Sequence, residues 1–570
     1  MAIDKIETRI VSSLEKALMT DEVASHPRLE EQSVLLGETF DFQLLVHDHD
    51  LNQFSTRGLL VEVEGLPCEV TCRQVTNVLV DMTTNMRDPS LGTPYYIKSE
   101  SGCYPDILEP LDEDVHYRII PGRTMALWFT CRPTVAGEFN VKVKLTDETM
   151  KMSGLSDPPV LASEDTLKLT VVDAQIPEQK LIYTQWFHAD CLATYYNVPI
   201  LSKKHWDIIS SFMKCAVDNG INCLLTPVFT LPLDTEIGRE RPTLQLVKVK
   251  IEEDGRYSFD FSLLKKWIRL ARKNGVKYIE ISHLFSQGGC KYATKVVAEK
   301  DGELRRIFGW DTPGTGEAYA EFLTQFMPEL VSFLRGMGVL EDCLFHISDE
   351  PGGEHIETYL KAKSILAPHL VGCRVIDALS NLDFYKSGAV DIPVPTTHDI
   401  EPFLAEDIPQ RWTYYCCVVQ FAKISNRFLA YPSARNRILG IQLYKFNMTG
   451  FLHWGFNFYY SYQSRRPINP YLTQTAEGRY PAGDCFSVYP GPDGVPYESL
   501  RLDVFREALQ DISALNLCEQ LVGRDRVIEL IDSLAGQPIT FKEYPAEADY
   551  ILKLREAVNA LIAENVKKTK

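Results

Sequence analysis

Two turns, Asn219-Gly220 and Asn274-Gly275, constrain this chain more than any other feature. Each closes an amphipathic segment. Trp206, Ile209, Phe212, Met213 and Ala216 recur at helical spacing before the first turn, and Leu264, Trp267, Ile268 and Ala271 before the second. Asn and Gly suit the left-handed exit of a helix, and Ser262 is placed to cap the second helix. An apolar run follows each turn at once, residues 221–229 and 276–284. Such runs, without polar alternation, are strands covered on both faces. The order strand, long connection, helix, short turn, strand predicts a parallel β/α architecture. A further helix carries Tyr319, Phe322, Leu323, Phe326, Leu330 and Phe333, and apolar runs recur near 181–187, 344–349, 371–379, 390–397, 412–419 and 450–458. Eight strands in this order predict a (β/α)8 TIM barrel over residues 179–520.

The remainder reads differently. In residues 1–178, Phe40, Phe42 and Leu44, then Phe139, Val141, Val143 and Leu145, then Leu167, Leu169 and Val171 alternate with their neighbours. That period predicts an antiparallel β-sandwich with one wet face per sheet, joined to the barrel by a linker at 176–179. Residues 87–110, rich in Tyr, Pro and Gly, read as an irregular insertion, either reaching the next domain or lying on the surface. Residues 521–570 predict a C-terminal helical extension, its last helix at 546–563 packing outside the barrel.

Composition narrows the function. A formal charge of −18 over 570 residues opposes nucleic acid and anionic membranes as partners. No apolar stretch reaches membrane-span length, and the amino-terminal residues carry no signal-peptide pattern. The 14 cysteines form no disulfide framework, as expected of buried thiols in a cytoplasmic protein.

The stretch Leu344-Phe-His-Ile-Ser-Asp-Glu-Pro351 ends a strand with two adjacent acids. Neighbouring strand residues normally face opposite ways, but Pro351 cannot extend a ladder. Asp349 and Glu350 can therefore share one space, where they either serve glycoside chemistry or cap the next helix. Other strand ends supply candidate substrate contacts: His188 and Asp190, His283, Trp412 and Tyr414 (on one face with Cys416), and His453 with Trp454. Each could equally be structural. No His-x-His or His-Glu-x-x-His spacing fixes a metal among His188, Asp190, His283 and His398, so neither metal nor cofactor is expected. No phosphate-binding glycine loop or Gly-x-Ser-x-Gly elbow is present.

Four ordered motifs resemble glycoside hydrolase family 123: His346-Ile-Ser-Asp349-Glu350-Pro351; Trp412-x-Tyr414-x-Cys416; Gly450-Phe-Leu-His-Trp454-Gly455; and Pro481-Ala-Gly-Asp484 with Val488-Tyr-Pro-Gly491 and Ser499-Leu-Arg501-Leu. The resemblance spans roughly residues 180–520, with a sandwich in front. The long loops, with Thr226-Pro-Val-Phe-Thr230 and Phe308-Gly-Trp310, look like those of a distinct branch. The resemblance implies an exo-acting, retaining β-N-acetylgalactosaminidase whose substrate supplies its own acetamido nucleophile. Glu350 then matches the general acid/base and Asp349 the acid that orients the acetamido group. Asp484 joins the candidate substrate contacts, and ionised Asp349 is expected to keep Glu350 protonated. Two alternatives are a glycosidase for sugars without the acetamido group, drawing a second acid from Asp190, Glu280 or Asp377, and a non-catalytic carbohydrate-binding barrel. The expected partner is a glycan.

Overall fold

The computed structural model describes residues 6–51, 56–84, 95–111, 116–152, 154–155, 158–415 and 423–569. The chain divides into two compact units, residues 1–180, 421–445 and 497–570, and residues 181–420 and 446–496.

The first unit is rich in sheet. One sheet runs in the order Ile6–Ser12, Phe40–Asp48, Thr124–Cys131, Val70–Val80, Gly102–Pro110, with Glu498 and Ser499 paired at its edge. The other runs Glu31–Leu36, Val160–Gln175, Gly137–Asp147, Arg57–Glu64, His116–Ile119. Phe42, Leu44, Leu127 and Phe129 of the one join Leu59, Val143, Leu145 and Leu169 of the other in a single apolar cluster. Pairing is not antiparallel throughout, because Glu31–Leu36 lies parallel to Val160–Gln175. Nor is residue stretch 87–110 irregular to its end. Residues 85–94 lie outside the described part, but Gly102–Pro110 is a strand. A bulge at Asp106 hides its period, since Pro105 and Ile107 pair with the consecutive Asn77 and Thr76.

Helices Ala434–Lys445, Leu500–Val522, Arg524–Ala535 and Ala548–Thr569 belong to this unit. Residues 421–445 and 497–520, expected within the barrel, thus group with the sheets, and buried charge explains why. Arg501 grips Asp106 at 2.8–2.9 Å, Arg506 reaches Asp41 at 2.7 Å, and Arg437 holds both Glu507 and Asp511. Removing one member of such a pair strands the other, at a cost of about 3–5 kcal/mol. The last helix packs here too. Glu556 accepts the Ser33 N–H at 2.7 Å and Arg555 donates to Glu38 at 2.6 Å.

The second unit carries eight parallel strands: β1 (Ile182–Gln185), β2 (Cys223–Thr226), β3 (Tyr278–Ile281), β4 (Cys343–Phe345), β5 (Arg374–Ala378), β6 (Ile392–Val394), β7 (Trp412–Tyr414) and β8 (Gly450–His453). Their order is β6-β5-β4-β3-β2-β1-β8-β7. The edges meet where Tyr414 N–H donates to the Pro395 carbonyl at 3.1 Å and Thr397 N–H to the Tyr414 carbonyl at 2.9 Å, so the barrel nearly closes. Ile182, Leu225, Leu344, Ile376, Val394, Trp412 and Leu452 fill its interior. Position 450 must be glycine, because a Cβ there would stand 2.1 Å from the Trp412 ring.

The long loops after β2 and β3 contain sheet. Lys248–Ile251 with Tyr257–Asp260, and Val296–Lys300 with Glu303–Phe308, form two hairpins that join in parallel through Val249 and Ala298. Asp301 and Gly302, at φ 55° and 80°, turn the second one. Ser262 is the first residue of its helix rather than the cap. Asp260 accepts its N–H at 2.8 Å.

Candidate active site

β4 ends at Phe345, and the next five residues enter the space above the carboxyl ends of the strands. Two neighbouring segments fix their backbone. Ile347 N–H donates to Asp377 at 3.1 Å, Glu350 N–H to the Ala378 carbonyl at 3.0 Å, and Gly288 N–H to the Asp349 carbonyl at 2.8 Å. Glu350 lies at φ +46°, a region that non-glycine residues seldom occupy. That left-handed residue ends the alternation of the strand and turns both carboxyls toward one pocket. Trp186, His188, Leu233, Asp234, Gln287, Ala378, Tyr414, Leu452, Trp454 and Tyr480 complete its wall.

The two acids have different partners. Gln287 donates its amide to Asp349 Oδ2 at 2.8 Å, and Tyr414 donates its hydroxyl to Glu350 Oε1 at 3.0 Å. Burial, and then the charge of Glu350, push Asp349 well above the usual carboxylate range. Glu350 is also raised by burial, against its hydrogen bonds from Tyr414 and Gln287. Both acids are thus raised, not Glu350 alone. Two buried carboxylates side by side resist ionising together.

Beneath the pair runs a buried charged row. His346 touches Glu280 through Nε2 at 2.7 Å and Asp377 through Nδ1 at 3.1 Å. Burial alone would lower its pKa, but these two bonds prevail and hold it at about 9. Trp186 Nε1 and Thr184 Oγ1 also donate to Glu280, and Tyr359 to Asp377.

Of the residues expected to touch substrate, His188, Tyr414 and Trp454 line the pocket; Asp190, His283, Trp412, His453 and Asp484 do not. Asp190 is spent on Arg241, at 2.7 and 2.8 Å. His283 stacks on His346 with ring centres 4.1 Å apart. Trp412 fills the barrel, as Gly450 requires. Asp484 accepts from Trp454 Nε1 at 2.8 Å and lies 3.5 Å from His453 Nε2, so Asp484 holds the Trp454 ring. Cys416 lies outside the described residues.

The residues weighed for a metal do not converge. Arg241 donates to His188 Nδ1 at 3.1 Å, and Nε2 faces the Trp454 carbonyl at 3.0 Å. Burial and then Arg241 lower its pKa to about 3, leaving it neutral. His398 is half-buried beside Asp399. His283, His346 and Asp377 do place possible ligand atoms within 4.8 Å of one another. Both nitrogens of His346 are already committed to carboxylates, however, and its raised pKa opposes the neutral form that a metal needs.

Sequence reasoning missed Trp186, Asp234, Gln287 and Tyr480. Gln287 stood beside Gly288-Gly289, at φ 71° and 106°, which marks a tight loop at a strand end. Tyr480 adjoins the Pro481-Ala-Gly-Asp484 motif. Asp234 gave no signal, being one acid within a long loop.

A family model described as Glycoside hydrolase 123, catalytic domain, matches residues 186–518. Among solved structures, a family 123 glycoside hydrolase from Clostridium perfringens, described in connection with glycolipid glycan hydrolysis, superposes with a TM-score of 0.74 at 15% identity, covering 99% of this chain and 100% of that one. A tri-modular GH5 (subfamily 4) endo-beta-1,4-glucanase from Bacillus licheniformis follows at TM-score 0.30 and 11% identity, over 58% of this chain and 60% of that one. No curated protein sequence matches.

Proposed function

Because the chain belongs to glycoside hydrolase family 123, we propose that it is an exo-acting, retaining enzyme that releases N-acetylgalactosamine from β-linked glycans with the help of the substrate's own acetamido group. The observation that carries this reading is the adjacent pair Asp349 and Glu350, facing one pocket from the carboxyl end of a barrel strand.

The acetamido oxygen attacks the anomeric carbon from within the same sugar, without the entropy cost of recruiting a nucleophile. Its N–H meets Asp349. A donor there favours the carboxylate form of Asp349 and leaves the proton to Glu350. Glu350 then protonates the leaving oxygen, and Asp349 faces the positive charge that develops on the oxazoline ring. In the second half Glu350 takes a proton from the attacking water. Tyr414 holds Glu350 toward the reacting bond, and Gln287 holds Asp349. Trp454 offers its face to the apolar side of the sugar. His346, protonated beneath the pair, keeps a positive charge near Asp349.

The two sheets of the first unit, sharing one core, support a sandwich. All the described cysteines are free thiols, in keeping with a reducing, cytoplasmic setting. No helix among the described residues is long and apolar enough to cross a membrane.

The test is the rate on paired aryl β-glycosides, 2-acetamido-2-deoxygalactoside against galactoside. Rapid turnover of the first alone supports the reading; equal turnover of both excludes it.

A further inference from the structure

Three carboxylic acids face the pocket, Asp234, Asp349 and Glu350, and no Lys or Arg among its lining residues balances them. The cations outside the lining are occupied: Arg241 spends its guanidinium on Asp190 and His188, and His346 its ring on Glu280 and Asp377. His188, neutral for the reasons above, adds no charge.

Asp234 is held as firmly as the reacting pair. Its backbone lies at φ +41°, its N–H donates to Gln287 Oε1 at 3.1 Å, and Ser464 Oγ donates to its carbonyl at 2.7 Å. Gln287 thus spans from the Asp234 backbone to the Asp349 carboxylate and sets their spacing. On the side chain, Tyr480 donates to Oδ1 at 3.1 Å and the Gln463 N–H to Oδ2 at 3.3 Å. A carboxylate has about four acceptor positions, so each oxygen can take another donor from the pocket. Burial raises its pKa to about 6, against Tyr480, Gln463 and Arg241, which leaves it ionised at neutral pH.

We propose that Asp234 is the specificity-determining residue of this pocket: it accepts two hydroxyls of the terminal sugar, and with the reacting pair it restricts the site to uncharged sugars. This rests on the glycosidase reading. Hydroxyl donors satisfy the carboxylate, whereas a uronic acid or a sulfated sugar would bury a further negative charge without a partner. Because Gln287 links Asp234 to Asp349, seating the hydroxyls also seats the anomeric carbon at the acid pair.

The test uses aryl glycosides of whichever sugar the wild-type enzyme turns over, with the 3-, 4- and 6-hydroxyls removed one at a time, beside a 6-sulfated analogue. Choosing the sugar this way lets the result stand even if the acetamido reading fails in its own test. For the wild type, two of the three deletions should lower kcat/KM by about 10- to 10²-fold each, chiefly through KM, and the sulfated analogue should not be turned over. In Asp234→Asn the same two deletions should matter less than about 3-fold, because the charged acceptor is gone. The wild-type series decides independently of how well the variant folds. No loss on any deletion, or ready turnover of the sulfated sugar, overturns the proposal. So does an Asp234→Asn variant that loses kcat alone and keeps the wild-type response to the deletions, since Asp234 would then act in the chemistry.

Discussion

Tyr414, the last residue of β7, donates its hydroxyl to Glu350 Oε1 at 3.0 Å, joining two strands that are not neighbours in the barrel. The same Tyr414 pairs through its backbone with Pro395 and Thr397, where the sheet's edges meet. The contact that nearly closes the barrel therefore also aims the proposed acid.

Glu350→Gln keeps the shape and the hydrogen bond from Tyr414 but cannot cycle a proton. Activity on a natural glycan, with its poor leaving group, should fall by about 10² to 10⁴. The loss in the first step should be smaller on an activated aryl glycoside, which needs less protonation. Steady-state rates on both substrates check this, and equal losses would remove Glu350 from the role of acid.

His346 gives stability a pH window. Its folded pKa of about 9 exceeds the unfolded value near 6.5. Its contribution is thus complete below about 6.5 and is lost as pH rises through about 9, at most about 3 kcal/mol. Glu280 and Asp377 flank it directly, with Asp349 above. Other groups titrate in the same range, including Lys16 near 7 and Glu507 near 8. The readout is therefore the difference between wild type and His346→Gln. Urea midpoints of the two should converge between pH 6.5 and 10, and parallel curves would contradict a protonated His346.

How much of this was legible in the sequence depended on the range of the forces involved. Period and turn chemistry are local, so the strands and their order could be read from the apolar runs and from Asn219-Gly220 and Asn274-Gly275. Asp349 and Glu350 stood out because a proline follows them. Which polar residues face the pocket was not legible. His453 and Asp484 look like ligands by type, yet Asp484 bonds Trp454 and His453 lies beside Asp484, and Trp412 is a core residue because Gly450 leaves it room. Asp106 broke a period with a bulge, the helix of residues 500–522 joined the first unit through Asp41 and Asp106, hundreds of residues away, and that of residues 434–445 joined it through Glu507 and Asp511. Asp234 became significant only when the fold brought Gln287, Gln463 and Tyr480 to it.

The bond from Trp454 Nε1 makes Asp484 a proposed positioning residue for that ring. Asp484→Ala strips the acceptor from Trp454 Nε1 and should lower kcat/KM by up to about 10²-fold through a misplaced sugar, with KM rising more than kcat falls. Asp484→Asn keeps an oxygen acceptor and should restore most of the loss. If Asn and Ala behave alike on every substrate, the ring is not held by this bond.

The final prediction separates substrate assistance from a protein nucleophile. If Asp349 serves the acetamido group, Asp349→Asn removes the charge that faces the developing oxazolinium while keeping a similar shape. The electrostatic loss should be about 3 kcal/mol, or about 10² in rate. The same variant should bind a thiazoline mimic of the intermediate more weakly than wild type does, because that mimic is recognised through its ring nitrogen. Wild-type enzyme should show the reverse order, with the thiazoline bound far more tightly than the free sugar. A protein nucleophile predicts other behaviour: a 2-fluoro sugar would leave a covalent adduct, and Asp234 or Asp349 would carry it. Intact-protein mass spectrometry after incubation with the 2-fluoro glycoside reads this directly. An adduct would end the substrate-assisted reading and name the nucleophile, whereas no adduct together with tight thiazoline inhibition leaves Asp349 as the group that holds the acetamide.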